Sequence, residues 1–257
     1  MTAPSTVQIR SRDNPHVKEL RRLAQDSTQY RRQGRVWIEG EHLCAAARTR
    51  GWAPEMAVFS ESFWPLALAD KGLTATKNIV LPDALFASIS GLESPARMAY
   101  VLGLPAPARP DPAAPTVVLD RVQDAGNVGS ILRSSAAFGF RQVLAMKGSA
   151  ALWSPKVLRA GMGAHFGLTL VEGLAEDDLE ALAVPLLATH VHAGDWLHRA
   201  ALPWPCAWVF GHEGQGVAPQ IEARAAQRIR IAQPGGEESL NVAAAAAICL
   251  HASGAAR

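Results

Sequence analysis

A short apolar run, Thr116-Val117-Val118-Leu119, leads directly into D-R-V-Q-D-A-G-N-V-G-S-I-L-R-S-S-A-A-F-G-F, residues 120–140. No other stretch restricts the folding of this chain as tightly. Val128, Ile131, Leu132 and Ser135 recur at helical spacing, which predicts a helix with that face buried. Arg133 falls off the stripe, roughly a turn and a half beyond Asn127. A strand feeding a glycine-broken turn and then a helix is the unit that builds ligand sites at the carboxyl ends of strands in α/β sheets. Plainer roles are open to both residues at this point: Asn127 as a helix N-cap, Arg133 as a solvated helix residue.

A second constraint divides the chain. Residues 103–115 hold five prolines, which exclude helix and central strand and favour an extended spacer. We place an N-terminal domain at residues 1–104, a linker at 105–115 and a C-terminal domain at 116–257. In the first domain helices are predicted at 14–26, 41–50, 62–71 and 82–90, and strands at 35–39, 56–60, 78–81 and 97–104. Val17, Leu20, Leu23 and Ala24 form the buried face of the first helix. In the second, strands are predicted at 116–119, 142–146, 168–171, 185–191, 206–210 and 228–231. Helices alternate with them, near 154–160, 177–183, 219–225 and 239–252. Both domains therefore read as α/β, the second as an open, mostly parallel sheet with helices on both faces.

Net charge is +2, so any nucleic-acid contact must come from local clustering. Such a cluster exists: eight Lys or Arg lie between residues 10 and 35, against Asp13, Glu19 and Asp26. Within it Lys18, Arg21, Arg22, Arg31, Arg32 and Arg35 are candidate RNA-backbone contacts. An ordinary solvated helix face with a basic loop would carry the same charges. The three cysteines, Cys44, Cys206 and Cys249, are scattered without metal-ligand spacing, which fits a reduced, cytoplasmic protein and no metal. We expect no signal segment and no membrane span.

Two further segments bear on chemistry. Gly211-His212-Glu213-Gly214-Gln215-Gly216-Val217 follows an apolar strand; its three glycines permit a sharp turn, and Glu213 is its one carboxylate. His212-Glu213 lacks the second histidine of a zinc-binding helix. Residues 229–251 then give a strand, a Pro-Gly-Gly loop and a helix that Ser239 is expected to cap. Leu240, Ala243, Ala244, Ala247, Ile248 and His251 are its expected buried stripe. Asn241, in the first turn, offers an amide as paired donor and acceptor. Gly161-Met162-Gly163-Ala164-His165-Phe166-Gly167 mimics a nucleotide loop but follows a helix instead of a strand.

In order and spacing, these segments resemble the motifs of the SpoU/TrmH family of RNA ribose 2′-O-methyltransferases, of the SPOUT class. Asn127, Gly129 and Arg133 look like its first motif. Gly211, Glu213, Gly214 and Gly216 look like its second, and Ile231, Ser239, Leu240, Asn241 and Val242 its third. The match spans about residues 116–253. The N-terminal half is similar to the family's ribosomal-protein-like RNA-binding extension, through Ser11, Asn14, Pro15, Lys18, Leu20, residues 31–34 and Glu39-Gly40. The chain departs from the family at Ala232-Gln233, where Pro-Met usually follows the isoleucine. It departs again at His212, where asparagine is usual.

The resemblance implies a trefoil-knotted C-terminal domain and a homodimer formed through it. It implies S-adenosylmethionine as methyl donor, seated near Thr189, Gly211, Ile231 and Leu240. It implies methylation of a ribose 2′-hydroxyl, with ribosomal RNA favoured as substrate and transfer RNA as the alternative. Asn127, Arg133, Glu213, Ser239 and Asn241 would be the catalytic group, with Arg133 on the substrate phosphate and hydroxyl, the asparagines orienting, and Ser239 and Glu213 holding the loops. Two competing classes are a non-catalytic RNA-binding protein on this scaffold and another α/β enzyme with a nucleotide cofactor.

Overall fold

The computed structural model describes residues 4–235 and 239–255. The chain forms two compact units: residues up to Ala106 together with Trp153–Phe166, and Pro107–Leu152 together with the chain from Gly167 onward.

The first unit runs β1 (Ser5–Gln8), α1 (Pro15–Gln25), α2 (Gln29–Gln33), β2 (Arg35–Glu39), α3 (Glu41–Thr49), β3 (Met56–Ser60), α4 (Trp64–Ala69), β4 (Lys77–Leu81), α5 (Asp83–Ile89) and β5 (Met98–Gly103). Its five-stranded sheet has the order β1-β4-β3-β5-β2 and is mixed, with β5 antiparallel to both neighbours. Helix α1 starts where Asn14 Oδ1 accepts from His16 N at 2.9 Å, with Pro15 in the first turn. It buries Val17, Leu20, Leu23 and Ala24 against the sheet, the face its spacing predicts. Strand β1 and helix α2 have no counterpart among the predicted elements. Every residue of β1 is exposed, so no alternation betrays it. The basic loop at residues 29–33 is instead a short helix ended by Gly34 at φ 64°, with Arg31 and Arg32 in its last turn, where cations suit the helix dipole.

The second unit runs β6 (Thr116–Leu119), α6 (Ala125–Ala137), β7 (Gln142–Met146), then α7 (Pro155–Gly161), which belongs to the first unit. It continues through β8 (Thr169–Leu174), β9 (Leu186–Thr189), β10 (Asp195–Trp196), β11 (Ala207–Phe210), α8 (Pro219–Ala223), β12 (Gln227–Arg230) and α9 (Val242–Ala255). The predicted helix at 177–183 is a 3-10 turn at Glu176–Ala181. Seven strands pair in the order β10-β12-β9-β11-β6-β7-β8, and every pairing is parallel. Strands β6, β7 and β11 are buried at each position, the unbroken apolar pattern of a parallel sheet. The order sets the carboxyl ends of β12, β9, β11 and β6 side by side.

The glycine-rich decoy, up to Phe166, lies in the segment that packs within the first unit, where a Cβ on Gly163 would meet Ala46 Cβ at 2.6 Å. The proline-rich stretch is not a free spacer beyond Ala106. The buried Gln142 side chain accepts from Asp111 N and donates to Asp111 O, both at 2.9 Å, tying residues after 106 to the second unit.

Helix α9 departs most from expectation. It begins at Val242, and its cap is Asn241, not Ser239: Asn241 Oδ1 accepts from Ala243 N at 2.9 Å and Ala244 N at 3.2 Å. The buried residues are Ala246, Cys249, Leu250 and Ser253, whereas Leu240, Ala244, Ile248 and His251 of the expected stripe are exposed. A run of alanines leaves both faces apolar, so periodicity cannot set the phase. What sets it is polar: Trp208 Nε1 of β11 donates to Ser253 Oγ at 2.8 Å in the buried interior. Residues 236–238 of the predicted Pro-Gly-Gly loop lie outside the described residues.

Candidate active site

Helix α6 follows β6 through a five-residue turn and packs along α9. Its cap is Asp124, whose Oδ1 accepts from Asn127 N at 2.7 Å, so Asn127 is released from capping and projects from the first turn. Val128, Ile131, Leu132 and Ser135 are buried as their spacing requires, and Arg133 is exposed.

The three motif segments meet through hydrogen bonds. Asn127 Nδ2 donates to Glu213 Oε1 at 3.2 Å, and Asn241 Nδ2 donates to Asn127 Oδ1 at 3.0 Å. Because Asn241 Oδ1 is committed to the α9 cap, its amide can only donate toward Asn127. Asn127 must then turn its own amide nitrogen toward Glu213. Direction is thereby fixed along the whole relay. Glu213 Oε2 also accepts from Gln123 N at 3.3 Å and Oε1 from Asp124 N at 3.2 Å. Burial alone would raise the Glu213 carboxyl. The bonds from its own backbone, Asn127, Asp124 and Gln123 outweigh that and hold it below the usual carboxylate range.

Two residues outside the predicted site frame this cluster. Asp120, almost wholly buried, takes Arg121 Nε at 2.8 Å and Nη2 at 3.0 Å, and accepts from Ala218 N at 2.6 Å. Arg121 sits at φ 59° and donates to Gln215 Oε1 at 2.8 Å, bracing the loop after β11. Its pairing with Asp120 raises the guanidinium further. The available signal was an Asp-Arg pair at the strand end, where a buried charge requires a partner.

The expected cofactor residues fall at adjoining places. Thr189 ends β9, Gly211 follows β11 and Ile231 follows β12, three neighbouring parallel strands. Thr189 Oγ1 donates to Val209 O at 3.0 Å. Gly211 has a requirement of its own within the loop: a Cβ there would collide with the Gly216 carbonyl and Val217 nitrogen. Those atoms lie close because His212 and Gly216 exchange backbone hydrogen bonds at 3.0 and 2.8 Å. Leu240 is 38% exposed, an apolar side chain without full cover. Gln233 Oε1 is buried and accepts no hydrogen bond among the described residues. Ser239 and Arg133 are exposed and join no hydrogen bond or ion pair among the described residues, so neither belongs to the relay in this state.

In the first unit the six candidate RNA-binding cations divide. Arg21 donates to Ser88 O at 3.2 Å and Ser88 Oγ at 3.0 Å, and Arg35 pairs with Glu55 at 2.9 Å and Glu19 at 3.4 Å. Lys18 lies 3.2 Å from Asp13, and Arg31 lies over the Tyr30 ring. Arg22 and Arg32 are exposed. Among the described residues no cluster of His, Cys, Asp or Glu is placed to hold a metal, and no helix is long and apolar enough to cross a membrane.

Comparison with known proteins places this geometry. Residues 114–251 match the SpoU rRNA Methylase family, and residues 14–99 match the MRM3-like substrate binding domain. The chain is 29% identical over 248 residues to the 23S rRNA (guanosine(2553)-2'-O)-methyltransferase RlmP of Bacillus subtilis, covering 95% of this chain and 98% of that protein. A TrmH-family RNA methyltransferase structure from Porphyromonas gingivalis superposes with a TM-score of 0.82 at 31% identity, over 94% of this chain and 97% of that one. The AdoMet-bound rRNA methyltransferase from Sinorhizobium meliloti superposes with a TM-score of 0.83 over 96% and 97% of the two chains; at 24% identity it speaks to the fold alone.

Proposed function

Because the chain belongs to the SpoU rRNA methylase family, we propose that it transfers a methyl group from S-adenosylmethionine to a ribose 2′-hydroxyl of ribosomal RNA. The observation that carries this reading is the directed relay Asn241–Asn127–Glu213, which unites the three motif segments beside the ends of β9, β11 and β12. A protein that only bound RNA would not need these amides turned one way.

The residues at the strand ends fit the cofactor. Three adjoining loops supply backbone donors and acceptors for an adenine edge. Leu240 and Ile231 supply apolar surface for its ring, and buried Gln233 Oε1 has no donor among the described residues. The departure at Ala232-Gln233 from the usual Pro-Met thus leaves the loop able to receive a nucleoside. When bound, the cofactor supplies a sulfonium-activated methyl group, so no metal is required. The chain's own task is then positioning.

Arg133 carries the substrate side. Its guanidinium offers donors and no acceptor, so it binds the neighbouring phosphate and polarises the 2′-hydroxyl, and a general base is left to another group. Its exposure, and its lack of a partner among the described residues, support a role met only when RNA arrives. Asn127 and Asn241 orient the ribose and Glu213 fixes the loop junction. We place Ser239 beside the cofactor loop, without a part in the relay. The first unit, with its match to a substrate-binding domain, takes the RNA backbone.

The same reading includes the trefoil knot of the C-terminal chain and a homodimer through that domain. The outward apolar row of Leu240, Ala244 and Ile248 on and before α9 supports such an interface. Three buried, reduced cysteines accord with a cytoplasmic setting. The test is methyl transfer from labelled cofactor to ribosomal RNA transcripts, followed by nucleoside analysis for 2′-O-methylation. Label found on a base, or none in any ribosomal RNA despite cofactor binding, would overturn the proposal.

A further inference from the structure

Two histidines close two of the loops assigned above to the cofactor, and the role inferred for them rests on that assignment. After β9, His190 Nδ1 accepts from His192 N and Ala193 N, both at 2.9 Å. After β11, His212 Nδ1 accepts from Gly214 N at 3.0 Å and Gln215 N at 3.2 Å. The two strands are neighbours in the sheet. Each imidazole thus does what an asparagine or aspartate oxygen does in a turn, gathering N–H groups two and three residues on. An imidazole nitrogen accepts only while it carries no proton, so the neutral ring with its hydrogen on Nε2 is required at both places. Protonation would turn each Nδ1 into a donor facing two donors.

We propose that His190 and His212 are positioning residues that shape the cofactor loops only as neutral imidazoles, so that cofactor affinity and methyl transfer fall together as the medium becomes acidic. Histidine is the side chain that changes charge between about pH 8 and pH 5.

Among the described residues, charged groups lie on or against both loops. His190 Nε2 lies 3.6 Å from Glu222 Oε1 of α8, an oxygen that also holds Arg228 Nε of β12 at 3.0 Å. The His192 ring is 6.3 Å away, and Arg230 of β12 donates to His192 O at 3.3 Å. On the loop of His212, Glu213 is taken up by Asn127 and two backbone N–H groups. From the end of β6, Arg121, paired with Asp120, donates to Gln215 Oε1.

The experiment is calorimetric binding of S-adenosylmethionine to the full chain at about pH 8 and about pH 5.5, spanning the range of histidine titration. Wild type is compared with His190→Asn, His212→Asn and the double variant. The ratio of affinities at the two pH values is the readout, and any titration of the ligand is common to all four proteins. Wild type should weaken about tenfold or more, the factor that one lost hydrogen bond of ordinary strength corresponds to. The double variant should hold a ratio within about twofold of one, since amide oxygens keep the turns without ionising. A flat wild-type profile overturns the inference, as does a double variant that weakens with acid as wild type does. Failure of wild type to bind at the higher pH overturns the cofactor assignment itself. Long-range proton–nitrogen spectra of the free protein decide the chemistry separately: either imidazole carrying its hydrogen on Nδ1 at the higher pH overturns the inference whatever the binding shows.

Discussion

The two units keep their functional side chains in opposite states. In the second, Asn241, Asn127 and Glu213 are bonded to one another, with Asp120 and Arg121 bracing the loop around them. In the first, Arg21 and Arg35 are tied to their own unit, while Arg22 and Arg32 are exposed. The difference follows from the work each unit is proposed to do. Lining up a weakly acidic hydroxyl needs groups fixed before substrate arrives, since small misplacements are costly. Holding a phosphate backbone needs charge that displaces counterions, and fixed geometry adds little to that. Arg133 is the exception within the second unit, exposed like Arg22 and Arg32 of the first.

The sharpest way to break the comparison is therefore Arg133→Ala. Turnover in single-turnover methyl transfer should fall by about 10²–10³, the loss on removing one charge-stabilising donor. Cofactor affinity by calorimetry should be retained. An equal loss of both would mean that Arg133 is part of the ordered cluster, and the contrast within the unit would disappear.

Next in size is Asn241→Ala, which removes the α9 cap and the relay together. We expect about 1 kcal/mol of lost stability from the cap. Turnover should fall roughly a hundredfold, the scale of a displaced catalytic geometry. Asn241→Asp separates the two roles. Aspartate caps as well as asparagine but cannot donate to Asn127 Oδ1, so thermal stability should stay and turnover should still fall. If Asn241→Asp keeps full turnover, the relay is structural and the ordering of the second unit has no catalytic meaning.

Helices α6 and α9 show how far such a site can be read from residues alone. In α6, small and large apolar residues alternate with polar ones, so the buried stripe Val128, Ile131, Leu132 and Ser135 is legible, and with it the outward placement of Arg133. In α9 the alanine run hides the phase, and the stripe that spacing suggests is the exposed one. The cap is hidden for a related reason. Ser239 and Asn241 are both good capping residues, and nothing local decides between them. Strand cores such as residues 35–39, 56–60, 116–119 and 142–146 coincide with the structure because unbroken apolar or β-branched runs leave few other choices. Long-range pairings are out of reach. That Asn127 meets both Glu213 and Asn241 depends on strand order, which no spacing encodes. Gly211 reads as a point of ligand approach, whereas the collision it avoids lies within its own loop. Two of the six candidate cations are illegible as well, because the partners of Arg21 and Arg35 come from residues 88, 19 and 55.

That last division gives the smallest effects and the cleanest separation. Replacing Arg22 and Arg32 together by alanine should weaken RNA binding about tenfold at moderate salt. It should also lower the slope of log affinity against log salt by about 1.5, the share of two phosphate contacts. Fold stability should not change. Arg21→Ala should behave in the reverse way. It should cost about 1 kcal/mol of stability through the lost bonds to Ser88 and leave the salt slope as in wild type. Binding isotherms at a series of salt concentrations, set beside thermal melts of the same proteins, read both quantities. If Arg21→Ala also flattens the salt dependence, its guanidinium exchanges Ser88 for phosphate when RNA binds. The first unit would then have to be described as rearranging on contact, with all six cations in play. If Arg22 and Arg32 prove silent, the charge that meets RNA lies elsewhere, and exposure alone is a poor guide to which cations of this unit touch the backbone.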